Sequence, residues 1–140
     1  MFKKWWSLLK EESTKDTDKV AKVVIYDDNY HVLFMKRTDY HDKFVGHWDL
    51  PGGHMQENEN IEQAIRRETR EETELSLYKL EKLETKNETT FFKSKYTGGK
   101  IKLSKEHSEF LFRDVEKIEN PDRYEKFSQK VIKDLKNEKF

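Results

Sequence analysis

The 140-residue chain has no cysteine, only two prolines and five glycines, and no run of 18 apolar residues. Without cysteine there can be no disulfide, no thiolate nucleophile and no Cys-ligated zinc, which suits a reducing cytoplasm. Without a long apolar run there is no stretch able to form a membrane-spanning helix. The opening MFKKWWSLLKEES has too short an apolar section, and no small-residue cleavage site, for a secretory signal. An excess of one charge is also missing. The 28 basic and 28 acidic residues cancel, so no global field steers the chain onto nucleic acid or an anionic membrane, and any binding of an anion must come from local grouping. With 34% hydrophobic and 40% charged residues, the length supports a single domain with a compact core.

What is present is concentrated between Gly53 and Leu75, which read GHMQENENIEQAIRRETREETEL. Asn60 can cap a helix, and Gln63, three residues on, can reach back to complete a capping box, so a helix is expected over about Ile61 to Thr73. At 3.6 residues per turn, Glu68, Glu71 and Glu72 fall within roughly 100° of one face, so three carboxylates should converge on one small volume. Like charges at these spacings weaken a bare helix unless Arg66, Arg67, Arg70 or a bound cation offsets them. A hard divalent ion with oxygen ligands, Mg²⁺ or Mn²⁺, fits that chemistry. From charge pattern alone, a solvated, salt-bridged face is the competing reading. Just upstream, Trp48-Asp49-Leu50-Pro51-Gly52-Gly53 stops a short hydrophobic run with Pro and two Gly, which lets the backbone turn sharply beside the helix.

These residues resemble the signature of the Nudix hydrolases: a Gly, five residues, a Glu, seven residues, Arg-Glu, an apolar residue, any residue, Glu-Glu, any residue, Gly and an apolar residue. Gly53, Glu59, Arg67, Glu68, Glu71, Glu72 and Leu75 match, and the preceding LPGG fits the family's lead-in. Two positions depart: Thr69 stands at the apolar site and Glu74 at the Gly. The resemblance runs from about residue 19 to 135. It implies Mg²⁺ (or Mn²⁺) held by Glu68 and Glu72, with Glu71 close behind, the Gly52 carbonyl as a further ligand, and Glu59 outside them or holding another ion. Such an ion supplies Lewis acidity and lowers the pKa of a bound water. Arg67 is expected to orient the carboxylates through charge-assisted hydrogen bonds. For the general base the alternatives are Glu68 in the helix and Glu106 or Glu109 in the later loop. The family often places a basic residue near the phosphates at the end of the second strand, where Lys36 and Arg37 stand. Phe44, Trp48, Phe91, Phe92 and Tyr96 are aromatics that could stack on a base, although aromatics in strands are more often core. Five scattered histidines without HExxH spacing argue against a zinc site.

The remaining pattern places strands at 20–26 and 30–36 around an Asp27-Asp28-Asn29 turn, at 77–84 and 89–96, and at 109–112. A tight turn at 97–100 should lead into 101–103, and a closing helix follows Pro121. The fold class expected is α+β, a Nudix-like α/β/α sandwich with a mixed sheet, the signature loop-helix and a C-terminal helix. Phe2, Trp5, Trp6 and Leu9 are spaced as an amphipathic helix. The division is therefore an N-terminal extension, 1–16, for packing on the domain or a twin subunit or for docking to a membrane or protein, and a Nudix domain, 17–140. The activity implied is hydrolysis of a phosphoanhydride in a nucleoside diphosphate linked to another moiety, by water attack on phosphorus. Phe91 and Phe92 stand where dinucleoside polyphosphate enzymes tend to carry Tyr. Alternatives are a sanitising nucleoside triphosphatase, an RNA 5′-end pyrophosphohydrolase, and a nucleotide sensor without turnover.

Overall fold

A computed structural model describes residues 19–40 and 43–138; the expected N-terminal helix lies outside them. The VAKVVIY run forms β1 (Val20–Tyr26), and Val32–Arg37 forms β2, its antiparallel neighbour across the turn. Trp48–Asp49 (β3) and Gly52–His54 (β4) are short strands that pair with β2 and β1 and carry the chain into α1, Ile61–Thr73. Beyond α1 come β5 (Glu81–Lys86), β6 (Thr89–Lys95), β7 (His107–Arg113), a 3₁₀ turn at Val115–Lys117 and α2 (Arg123–Asn137). The central order is β3-β2-β1-β6-β5, with β4 on β1 and β7 on β2. β1 and β6 run parallel while the other pairs are antiparallel, so the sheet is mixed. No helix among the described residues is long and apolar enough to cross a membrane.

Alternation along the strands explains the layers. Val24, Phe34 and Phe91 point to one face and pack with Val131, Ile132 and Leu135 of α2. Val23, Ile25, Leu33 and Phe92 point to the other and pack with Ile65 of α1. Successive side chains of a strand face opposite ways, so each central strand is buried on both sides and the helices sandwich the sheet.

Two expectations need correction. Residues 101–103 form no strand: the segment crosses the end of α1 as a loop, held by Lys102 N–H on the Thr73 carbonyl and Ser104 N–H on that of Glu72. Phe91 and Phe92 are 1% and 2% exposed, one in each core layer, and Phe91 stacks on Phe127 with centroids 4.1 Å apart. Neither ring has a face free for a nucleobase.

Candidate active site

The LPGG bend brings the sheet against α1. Gly52 is the register partner of Lys22 in the β1–β4 pairing and has φ +140°; a Cβ there would lie 1.9 Å from the Ala21 carbonyl oxygen. Its N–H donates to Glu72 Oε1 at 2.9 Å. The limit at Gly53 is softer: an added Cβ would lie 2.6 to 2.8 Å from the carboxyl end of the flexible Glu68 side chain, which would have to move. The two glycines thus let a bare backbone approach two carboxylates one helical turn apart. Glu72 is 3% exposed. Burial pushes its carboxyl up to about 8, with Glu68 and Asp49 adding repulsion, although Lys22 and the Gly52 N–H work the other way. Glu68 is also raised, by burial and then by the nearby charges of Glu71 and Glu106, against the pull of Arg67. Two acids thus face one turn of backbone, each raised although a cation stands near it.

Arg67 ties the rest together with five hydrogen bonds. Its Nε and Nη2 grip the two oxygens of Glu59 at 2.7 and 3.1 Å, its Nη1 donates to Glu68 at 3.1 Å and Glu71 at 3.2 Å, and its Nη2 also donates to the His54 carbonyl at 3.0 Å. The Glu59 hydrogen bonds hold that carboxyl below its ordinary value, with the Gln56 N–H assisting at 2.9 Å. Only a planar fork reaches this many acceptors at once.

The expected convergence of three carboxylates is met by two. Glu68 and Glu72 sit at the glycine turn, whereas the largely exposed Glu71 swings out to Arg67. Among the described residues, no three acidic, histidine or cysteine side chains stand together as a ready-made ion cage. The donor set still fits a hard divalent ion: a buried Glu72 whose carboxyl is raised despite Lys22, and next to it a partly buried Glu68 raised despite its ion pair with Arg67, are oxygen donors that such an ion would hold in the charged form.

The other predicted residues separate clearly. Glu106 is half-buried and close enough for its charge to raise Glu68. Glu109 lies exposed on β7, 3.5 Å from the Lys36 ammonium that it faces across the β2–β7 pairing. Arg37 donates to Asp49 at 3.1 Å and to the Lys43 carbonyl at 3.2 Å. Trp48 packs partly against the α2-side core, with the Arg113 guanidinium 5.6 Å from its ring centroid.

Sequence reasoning overlooked Lys22, Asp49 and His107, all buried. Lys22 donates to Asp49 at 2.9 Å and to the Leu50 carbonyl at 3.0 Å, and its ammonium lies 3.5 Å from the Gly52 carbonyl. Burial works against both ionised groups of this pair, yet their attraction outweighs it: the Lys22 ammonium is held above its usual range and the Asp49 carboxyl well below its own. The signal was present in VAKVVIY, since a lone lysine amid β-branched residues must find a partner when the strand is buried.

Comparison with known proteins identifies the family and the fold. The NUDIX domain family profile matches residues 16–135. A 49-residue segment is 45% identical to nucleoside triphosphatase NudI of Salmonella agona strain SL483, covering 35% of this chain and 34% of that protein. The NUDIX domain of Shewanella oneidensis NrtR, solved with ADP ribose, superposes with TM-score 0.71 at 18% identity, covering 96% of this chain and 99% of that one. The C. elegans Ap4A hydrolase binary complex gives TM-score 0.63 at 24% identity, covering 85% and 99%. For the MutT protein of Methanosarcina mazei Go1 the values are 0.64, 23%, 84% and 93%. With its signature carboxylates, its glycine turn and its sheet-and-helix layers all in place, the chain belongs to the Nudix hydrolase family.

Proposed function

We propose that this chain hydrolyses a phosphoanhydride in a nucleoside diphosphate linked to another group, assisted by Mg²⁺ or Mn²⁺, with water attacking phosphorus. The observation that carries this reading is the pair Glu68 and Glu72 facing the Gly52–Gly53 turn, with Glu72 buried and pushed up to about 8. Glu68, Glu72 and the Gly52 carbonyl would hold the ion, and Glu71 and Glu59 would support it through Arg67. The ion would supply Lewis acidity to the phosphate oxygens. Arg37 and Lys36 meet the phosphates, and Trp48 lies beside them. Glu106 is favoured over Glu109 as the base, because its charge reaches Glu68.

With Phe91 and Phe92 in the core, the feature that leaned toward dinucleoside polyphosphates falls away. A second reading, hydrolysis of nucleoside triphosphates, is favoured by the segment shared with nucleoside triphosphatase NudI. Product analysis with ADP-ribose, dinucleoside polyphosphates, nucleoside triphosphates and 5′-triphosphorylated RNA, each with Mg²⁺, Mn²⁺ or excess EDTA, separates the readings. Cleavage of a linked diphosphate that EDTA abolishes supports the first; turnover of triphosphates alone selects the second. Full turnover in EDTA after exhaustive dialysis contradicts both.

A further inference from the structure

Asp49 receives cations from two other strands. Lys22 of β1 holds Oδ1 at 2.9 Å, and Arg37 of β2 holds Oδ2 at 3.1 Å. His107 Nε2 of β7 stands 3.5 Å from Oδ2. Among these three groups one carboxylate serves two cations, Lys22 and Arg37, so the trio carries one positive charge more than it neutralises. The two cations differ in access. The Lys22 ammonium is enclosed by Asp49 and the Leu50 and Gly52 carbonyls, with the Tyr124 ring centroid 5.5 Å away. The Arg37 side chain is 20% exposed at the end of β2, with a guanidinium that has donors beyond the two hydrogen bonds described. The surplus therefore reaches solvent through Arg37, beside the candidate site.

We infer that Lys22 is a positioning residue for polyphosphate: by neutralising Asp49 from inside the sheet, it leaves the Arg37 charge available to an anionic substrate. Lys22 touches no substrate. Without it, Asp49 and Arg37 form a neutral pair, and a phosphate must compete with a buried carboxylate for the same guanidinium. Glu72 also feels the Lys22 charge, and it is the carboxylate that a divalent ion would neutralise, so the comparison belongs at saturating Mg²⁺. The inference rests on the reading of Arg37 as a phosphate-facing residue.

The test is titration calorimetry of the full chain with α,β-methylene-ADP, whose diphosphate has no anhydride oxygen to hydrolyse, at saturating Mg²⁺ and two salt concentrations. Counting charge, Lys22→Met should weaken binding about tenfold and flatten its salt dependence. Lys22→Met/Asp49→Asn restores the single surplus charge and should return to within about threefold of wild type, although it lacks the ion pair. Asp49→Asn alone should bind at least as tightly as wild type, and it keeps the test decisive if Lys22→Met does not fold. Wild-type binding by Lys22→Met, no recovery in the double variant, or weakened binding by Asp49→Asn overturns the inference and leaves Lys22 a structural residue. Arg37→Met tests the underlying reading separately: if it binds as tightly as wild type, Arg37 does not face the phosphates and the inference fails with that reading.

Discussion

Thr69 and Glu74 are the two residues that depart from the family signature, and both carry a measurable cost. Thr69 is fully buried in α1, and its Oγ1 has no hydrogen-bond partner among the described residues. Thr69→Val keeps the shape and removes the unsatisfied hydroxyl, so it should stabilise the fold by roughly 1 kcal/mol. Glu74 caps α1 in the left-handed region at φ 65°, the conformation the family's glycine adopts without penalty, while its N–H donates to the Arg70 carbonyl. Glu74 is exposed, and Glu74→Gly should add about 1 kcal/mol, less what glycine gains in the unfolded chain. Thermal melts read both as rises of a few degrees; a fall for either would show that the side chain makes a contact worth more than the strain. The sequence identified both departures but not their outcome: the helix could have run on, and only the backbone shows that it stops at the same place under strain.

The charge on Glu72 makes the pH dependence of the metal-free protein predictable in sign. Its carboxyl is raised from an ordinary 4.5 to about 8 in the native state, so the native state prefers the protonated form. That preference is complete below about pH 4.5, declines as pH rises and vanishes above about pH 8, with a total on the order of a few kcal/mol. Chelated wild-type protein should therefore lose stability across this window relative to Glu72→Gln, which has nothing to titrate there. Parallel stability curves for the two proteins would show that Glu72 ionises without strain.

At the scale of elements, α1 was the most legible part of the chain because its signals are local. Asn60 and Gln63 form the expected capping box, with Gln63 N–H on the Asn60 side chain at 2.7 Å and Asn60 N–H on that of Gln63 at 2.8 Å. Strands β3 and β4 were not legible, since two and three residues show no periodicity and their pairing depends on partners distant in sequence. The direction of Glu71 was hidden for a related reason: helical spacing places it near Glu68 and Glu72, but side-chain torsions and Arg67 decide where the carboxylate goes. Arg67 links α1 to the preceding loop through Glu59 and the His54 carbonyl. Arg67→Lys keeps the charge but cannot grip both oxygens of Glu59 while reaching Glu68. It should lower turnover at least tenfold and lower the melting temperature by several degrees; unchanged turnover would reduce Arg67 to a surface charge.

For the whole molecule, the sandwich follows from alternation in the central strands and amphipathic spacing in both helices, and the mixed sheet comes from the single parallel pairing of β1 with β6. The network of buried Lys22, Asp49 and His107 with partly exposed Arg37 unites four strands that the sequence separates by up to 85 positions, from Lys22 to His107, which no local pattern reveals. The family match begins at residue 16, and every residue of the candidate site lies downstream. Deleting residues 1–16 should therefore leave turnover intact while changing oligomeric state or attachment, as gel filtration and liposome flotation would show. A folded but inactive truncation would bring that segment into the site.

The central claim is that the α1 carboxylates at the glycine turn hold a divalent ion for phosphoanhydride hydrolysis. Turnover by Glu72→Gln, measured beside its Mg²⁺-induced shift in melting temperature, tests it most directly. The substitution keeps the shape of the side chain and removes its charge, so turnover should fall by orders of magnitude. The metal-free melting temperature should hold or rise, as the cost of burying the charge and, less, its repulsion from Glu68 are removed, and the shift on adding Mg²⁺ should shrink because the native state binds the ion less tightly. Wild-type turnover together with the full metal-induced shift would contradict the account and leave these carboxylates a salt-bridged helix face.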